Sequence, residues 1–137
     1  MFQLLCHRFF DVRLISSNRL TESIEGIHPI GKPGVILGIS FPRYSVKTIQ
    51  TVSFAKNRKA KIIAITDGEQ SPLAKYADCS IYAGSDMVSF VDSLVAPLSV
   101  VNALLAALSM RYKDSVTDTM LSMESIWNTM NEYERID

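Results

Sequence analysis

The chain has 137 residues, of which 47% are hydrophobic and 20% are charged, so it can bury a core of ordinary size as one domain. Fourteen lysine and arginine residues balance fourteen aspartate and glutamate residues. A neutral chain offers no electrostatic footprint for DNA or for an anionic membrane. The composition therefore argues against nucleic-acid or membrane binding by this chain alone.

Cysteines and histidines give no pattern of a metal site or a disulfide framework. Cys6 and Cys79 share no short spacing with each other or with His7 and His28, so we expect no metal and no cofactor. Charged and polar residues interrupt both the N-terminal segment and the apolar stretch of residues 87–110. Neither stretch therefore fits a signal peptide or a membrane span, and we expect a cytoplasmic protein with reduced thiols.

Apolar periodicity predicts alternating helices and strands along the chain. The predicted strands are residues 12–16, 35–40, 61–66 and 79–83. The predicted helices are residues 2–10, a segment capped by Ser17 or Asn18 that ends near Ile27, residues 45–58, a short helix opened by Ser71 and Pro72, most of 87–112, and 115–134. Strands that are apolar throughout are typical of a parallel sheet covered on both faces. The pattern predicts an α/β fold with an open sheet of about four parallel strands and helices on both faces.

The last two predicted helices distribute their apolar residues differently. The first of them has apolar residues on most faces, which predicts a buried helix; its main stripe is Leu98, Val101, Leu105 and Leu108. The helix of residues 115–134 is amphipathic, and its stripe is Val116, Met120, Met123, Trp127 and Met130, widened by Ile126. That stripe packs either on the domain itself or on a second copy of the chain.

Ligands of open parallel sheets bind beyond the carboxyl ends of the strands, so the residues after each predicted strand are candidate site residues. The loop from Ser40 to Ser45 has a hydroxyl at each end and Arg43 between them. The N–H groups from Tyr44 onward open a helix, whose N-terminus attracts phosphate. Ser17, after the first predicted strand, is a further candidate. The alternative is that Ser45 is only an N-cap and Arg43 only a solvated loop residue.

Two other groups of polar residues have simpler interpretations. Thr66 and Asp67 follow the third predicted strand and Ser71 precedes a helix, a pattern that favours a turn and a helix cap over ligand contact. His7 lies in an apolar helical stretch and His28 precedes a proline, so we interpret both as structural or exposed. No catalytic residue is predicted.

An ordered set of motifs between residues 35 and 83 resembles the core of sugar isomerase (SIS) domains. The loop SFPRYS is followed by a strand ending in ITD and then by SPLAKYAD. The resemblance is strongest to the SIS domains that form the effector-sensing half of RpiR/MurR-type bacterial transcription regulators. It extends more loosely over residues 2–112.

The resemblance implies a flavodoxin-like, three-layer fold and a sugar-phosphate site. Ser40 and Ser45 match hydroxyls that contact phosphate in the family. In the family's usual Ser-x-Ser-Gly loop, Pro42, Arg43 and Tyr44 replace a serine, the glycine and an acidic residue. The resemblance also implies a further strand with a Gly-rich loop, and a helix-turn-helix domain, ahead of residue 1, so we expect a single domain over 1–137 that is incomplete at its N-terminus.

Three functions remain open on these grounds. The resemblance favours a domain that senses a sugar phosphate for a bacterial transcription regulator and that forms a dimer through its C-terminal helices. An aldose–ketose sugar phosphate isomerase is the first alternative, but that chemistry needs an acid–base pair and Tyr44 replaces the acid of the loop. A fragment that only oligomerises is the second. We favour a sensor without enzymatic activity.

Overall fold

A computed structural model of the chain describes residues 11–16, 19–84 and 95–130. The elements in chain order are α1 (Leu20–Ile27), β1 (Val35–Ile39), α2 (Val46–Asn57), β2 (Lys61–Thr66), a 3₁₀ turn (Ala74–Tyr76), β3 (Cys79–Tyr82), α3 (Val95–Arg111) and α4 (Lys113–Met130). The chain forms two compact units. One runs from Arg13 to Val101 and contains the sheet, and the described part of the other is residues 11, 12 and 102–130.

The sheet of the described residues has three parallel strands in the order β1-β2-β3. Val35 lies opposite Lys61 in the β1–β2 pair, and Ile63 lies opposite Cys79 in the β2–β3 pair. Because β2 is flanked on both sides, its residues from Ala64 to the end are buried. The predicted α/β class and the parallel pairing of the strands at 35–40 and 61–66 are confirmed.

The predicted strand at residues 12–16 is wrong, because these residues adopt no regular structure and pair with no strand of the described sheet. A β-rich run forms a strand only where a neighbour completes its hydrogen bonds. Leu14 is largely exposed, and the Ile15 side chain approaches Gly26 of α1, where an added Cβ would lie 3.0 Å from Ile15 Cδ1. The segment thus contacts a helix instead of extending the sheet. The predicted helix of residues 2–10 lies outside the described residues.

The core of the sheet-containing unit forms between α2 and the strands. Its buried members are Ile27, Val52, Ala55, Ala60, Ile62, Ala64 and Leu73. Full burial of such aliphatic side chains contributes roughly 1.5–3 kcal/mol each for the larger ones. A Cβ at Gly38 in β1 would lie 3.2 Å from both Val52 and Leu73. The glycine therefore lets α2 and the Leu73 segment pack closely on β1.

The amino end of the sheet is fastened by Asp78, which precedes β3. Its carboxylate accepts hydrogen bonds from Lys56 Nζ at 2.6 Å and from the Ile62 N–H at 2.8 Å. Its own N–H donates to the Ile62 carbonyl at 2.8 Å. The hydrogen bonds from Lys56 and Ile62 outweigh desolvation and hold the pKa of Asp78 below its usual value. One residue thus joins α2, β2 and the start of β3.

The two C-terminal helices expose much of their apolar surface. Pro97 is the one buried residue of α3, so the prediction that this helix is buried on most sides is wrong for the described chain. Val95, Leu98 and Met110 of α3 are exposed, as are Met120, Leu121, Ile126 and Met130 of α4. Across the described ranges, no helix is both long and apolar enough to cross a membrane.

Candidate functional site

The loop of residues 40–45 lies at the carboxyl edge of the sheet, between β1 and α2. The Ser40 N–H donates to the Ile65 carbonyl at 3.2 Å, which extends the β1–β2 ladder by one residue. At the other end Ser45 is the N-cap of α2, and its Oγ accepts the Thr48 N–H at 3.3 Å. Ser45 is therefore an N-cap, as the alternative interpretation of the loop predicts. A hydroxyl that accepts in a cap keeps its own proton, which it can donate to an anion.

Arg43 gives this loop its sharp bend. Its φ is 68°, in the left-handed region that favours glycine and that costs other L-residues roughly 1–2 kcal/mol. The side chain is exposed. The loop therefore carries an arginine where the backbone favours glycine, at the same position where the sequence departs from the usual glycine of the resembling family.

A chain of buried hydroxyls fastens the loop to the segment after β2. Thr66 Oγ1 lies 2.7 Å from the Ser40 carbonyl oxygen and 2.7 Å from Ser71 Oγ. Because a carbonyl oxygen can only accept, Thr66 donates to Ser40 and Ser71 donates to Thr66. Ser71 Oγ in turn accepts the Leu73 N–H at 3.2 Å. Thr66 and Ser71 are fully buried, so this chain of bonds is shielded from water.

A second link joins Tyr44 of the loop to Asp67, the residue after β2. The Tyr44 hydroxyl lies 3.0 Å from Asp67 Oδ1 and 2.9 Å from Oδ2, so its proton is shared between the two carboxylate oxygens. Thr66 Oγ1 also lies 3.0 Å from Asp67 Oδ1. Desolvation, followed by the hydrogen bond and the charge of Asp67, raises the pKa of Tyr44. Tyr44 is therefore a neutral phenol and a hydrogen-bond donor near neutral pH.

The structure brings four of the five predicted site residues onto one loop, and the fifth, Ser17, lies outside the described residues. Thr66 and Asp67 join that loop through side chains, which the turn-and-cap interpretation did not include. Thr66 and Asp67 come directly at the end of the strand that neighbours β1, and this position was the sequence signal that could have placed them beside the loop. The predicted helix cap at Ser71 is wrong: the element that follows is a single 3₁₀ turn, Ala74–Tyr76, whose N-cap is Leu73 and which has no side-chain cap bond. The Ser71 hydroxyl accepts the Leu73 N–H ahead of that turn. The described residues contain no cluster of His, Cys, Asp or Glu that could hold a metal ion.

Comparison with known proteins identifies the class to which this fold and loop belong. The family description "SIS domain" matches residues 21–107, which include the whole sheet and the loop. The chain belongs to the SIS domain family. An uncharacterised HTH-type transcriptional regulator of Caldanaerobacter subterraneus subsp. tengcongensis is 32% identical over 133 residues, which cover 90% of this chain and 44% of the relative. The chain thus spans less than half the length of that regulator.

Two solved structures share the fold. The sugar isomerase domain of the RpiR transcription factor from Sphaerobacter thermophilus is 25% identical, with a TM-score of 0.75 over 90% of this chain and 71% of that one. The Vibrio vulnificus NanR protein complexed with ManNAc-6P is 18% identical, with a TM-score of 0.69 over 90% of this chain and 50% of that one. The second likeness concerns the fold alone.

Proposed function

We propose that this chain is the sugar-phosphate-sensing domain of a bacterial transcription regulator. The observation that carries the proposal is the loop of residues 40–45, where Ser40, Arg43 and the Ser45-capped start of α2 meet at the carboxyl edge of a parallel sheet. Helix N-termini and arginine both favour phosphate. The family supports the same ligand class, because the NanR structure of this fold is a complex with ManNAc-6P. A regulator acts on the chromosome, so the proposal places the protein in the cytoplasm.

Isothermal titration calorimetry with ManNAc-6P and glucose 6-phosphate tests this proposal, with unphosphorylated ManNAc as the control ligand. We expect binding of at least one phosphorylated sugar and none of ManNAc. Arg43→Ala removes a cation from the loop, and Ser45→Asp keeps a capping side chain while adding a negative charge. Both variants should weaken binding.

The matched control is Lys59→Ala, because Lys59 also has a left-handed backbone, with φ 69°, but follows α2 at the amino end of the sheet. This variant should bind as the native protein does. Equal affinity in the native protein, Arg43→Ala and Ser45→Asp would exclude the loop as the site. The proposal also expects no aldose–ketose isomerase turnover with either phosphate. Turnover lost on mutating His7 or His28 would favour the enzyme instead.

The proposal includes self-association through the C-terminal helices. Exposed apolar side chains on α4, among them Met120 and Ile126, support it, since contiguous exposed apolar surface marks contact sites and closed symmetric dimers are the commonest assemblies. Sedimentation equilibrium should give a mass above 15.3 kDa that falls in Met120→Glu. Ser122→Glu adds the same charge at another exposed position of α4 and should leave the mass unchanged. A monomer at the highest concentration would refute this part.

A further inference from the structure

A carboxylate stands beside the loop to which we assign phosphate binding. Among the described residues, the side-chain donor to Asp67 is the Tyr44 hydroxyl, since Thr66 gives its one proton to the Ser40 carbonyl. By contrast, Asp78 at the other end of the sheet is paired with the ammonium group of Lys56. An unneutralised carboxylate next to an anion site opposes ligand binding, because like charges repel strongly where water is partly excluded.

The position of Tyr44 explains how an anion could bind in the loop although the Asp67 carboxylate lies beside it. Tyr44 lies between Arg43 and Ser45, so its side chain starts within the proposed phosphate loop and its hydroxyl ends on both oxygens of Asp67. The contact spans 23 residues of sequence and links the loop after β1 with the end of β2. A bound carboxylate has a fixed position and its charge is partly taken up by the donor. A carboxylate without this partner rotates freely toward any nearby donor.

We propose that Tyr44 is a positioning residue of the phosphate site, whose hydroxyl holds the Asp67 carboxylate in place and takes up its two oxygens so that a phosphorylated ligand can bind beside it. The proposal rests on the proposed function. The proposal also gives a reason for the tyrosine at position 44. The bend of the loop is made by its neighbour Arg43, so Tyr44 is not needed for the bend.

The test is a cycle of three variants, Tyr44→Phe, Asp67→Asn and the double variant, titrated with ManNAc-6P and glucose 6-phosphate at pH 7.5. Tyr44→Phe keeps the ring but frees the carboxylate, and we expect at least about tenfold weaker binding of the phosphorylated sugar. Asp67→Asn removes the charge and leaves an acceptor for the phenol, so its affinity should stay within about threefold of native. The double variant should regain most of the loss, because no charge remains to be held.

The double variant separates this role from a purely structural one. If the bond only braced the loop, the double variant would bind as weakly as Tyr44→Phe or more weakly. The loss in Tyr44→Phe should also shrink at high salt, which screens charge repulsion but does not restore a missing brace. Thermal unfolding of all three variants checks that each is folded under the conditions of titration.

A measurement without ligand tests the contact itself. The five tyrosines can be labelled with ¹³C at the ring, and Tyr44→Phe assigns the Tyr44 resonance. Because Asp67 contributes to the raised pKa of Tyr44, this pKa should fall in Asp67→Asn; an unchanged value would refute the contact.

Native protein that binds the phosphates while Tyr44→Phe binds them equally well would overturn this inference and leave the proposed function intact. Native protein that binds neither phosphate would overturn both.

Discussion

Two aspartates lie at opposite ends of the sheet and are held by different kinds of partner. Asp78, at the amino end, is bound by the Lys56 ammonium and the Ile62 N–H. Asp67, at the carboxyl end, is bound by the hydroxyl of Tyr44. A cation neutralises a carboxylate, whereas a hydroxyl orients it and takes up only part of its charge. The first arrangement fastens structural elements together, and the second leaves a charge beside the loop where we propose phosphate binding.

The largest effect should come from breaking the buried hydroxyl chain at the carboxyl end. Thr66→Val keeps the shape of the side chain but removes the atom that bonds Ser40 and Ser71. Leaving buried polar groups without partners costs about 1–3 kcal/mol, and urea unfolding should show a loss of this size. Thr48→Val, in the half-buried part of α2, is the matched control and should change stability little. Equal effects in the two variants would refute a special role for Thr66.

A smaller effect should follow at the amino end, and it should depend on pH. The pKa of Asp78 is lowered in the folded state, so its stabilisation is present above the usual aspartate pKa of about 4 and is lost as pH falls through the lower folded value. Asp78→Asn should therefore be less stable than native at neutral pH. The two should converge in acid.

The same substitution at the other end of the sheet, Asp67→Asn, is the control for this pH dependence. It removes a carboxylate that is held by the Tyr44 hydroxyl, and the lysine pair at Asp78 remains. The free energies of unfolding of Asp67→Asn and Asp78→Asn should therefore differ most near neutral pH. A native protein and an Asp78→Asn variant with parallel pH–stability curves would remove the distinction between the two aspartates.

The smallest effect concerns the two residues with left-handed backbone, one at each end of the sheet. Arg43 and Lys59 have φ values of 68° and 69°. Glycine relieves the strain but enlarges the unfolded ensemble, so Arg43→Gly and Lys59→Gly should each raise stability by up to about 1 kcal/mol. Only Arg43→Gly should weaken sugar-phosphate binding. Loss of binding in both variants, or in neither, would contradict the proposal that the ligand binds at the carboxyl end of the sheet and not at the amino end.

The elements that could be predicted from the sequence are those with strong local patterns. The strands at 35–40, 61–66 and 79–83 are within a residue of those observed, because each is a short, largely apolar run between turn residues. Ser45 was identified as a cap because capping joins it to Thr48, only three residues away. Local chemistry specifies these features, and no distant part of the chain is needed to recognise them.

The remaining features depend on contacts between distant residues. A strand at residues 12–16 needed a partner that composition does not reveal. The bond between Thr66 and the Ser40 carbonyl spans 26 residues, and the Tyr44–Asp67 bond spans 23. Both become visible only when the parallel register sets Ile39 opposite Ile65. The left-handed backbone of Arg43 could not be predicted from the residue type, since arginine rarely adopts it.

Ser40 is held in place through its main-chain atoms. The Ser40 N–H donates to the Ile65 carbonyl, and the Ser40 carbonyl accepts the Thr66 hydroxyl. Neither bond therefore depends on the side chain at this position. Its burial restricts replacements to small residues, but an alanine, cysteine or threonine keeps both attachments. Mutation can therefore change the chemistry of this side chain without releasing the loop. If the loop binds phosphate as we propose, position 40 is a place where ligand preference can change while the backbone of the loop stays in place.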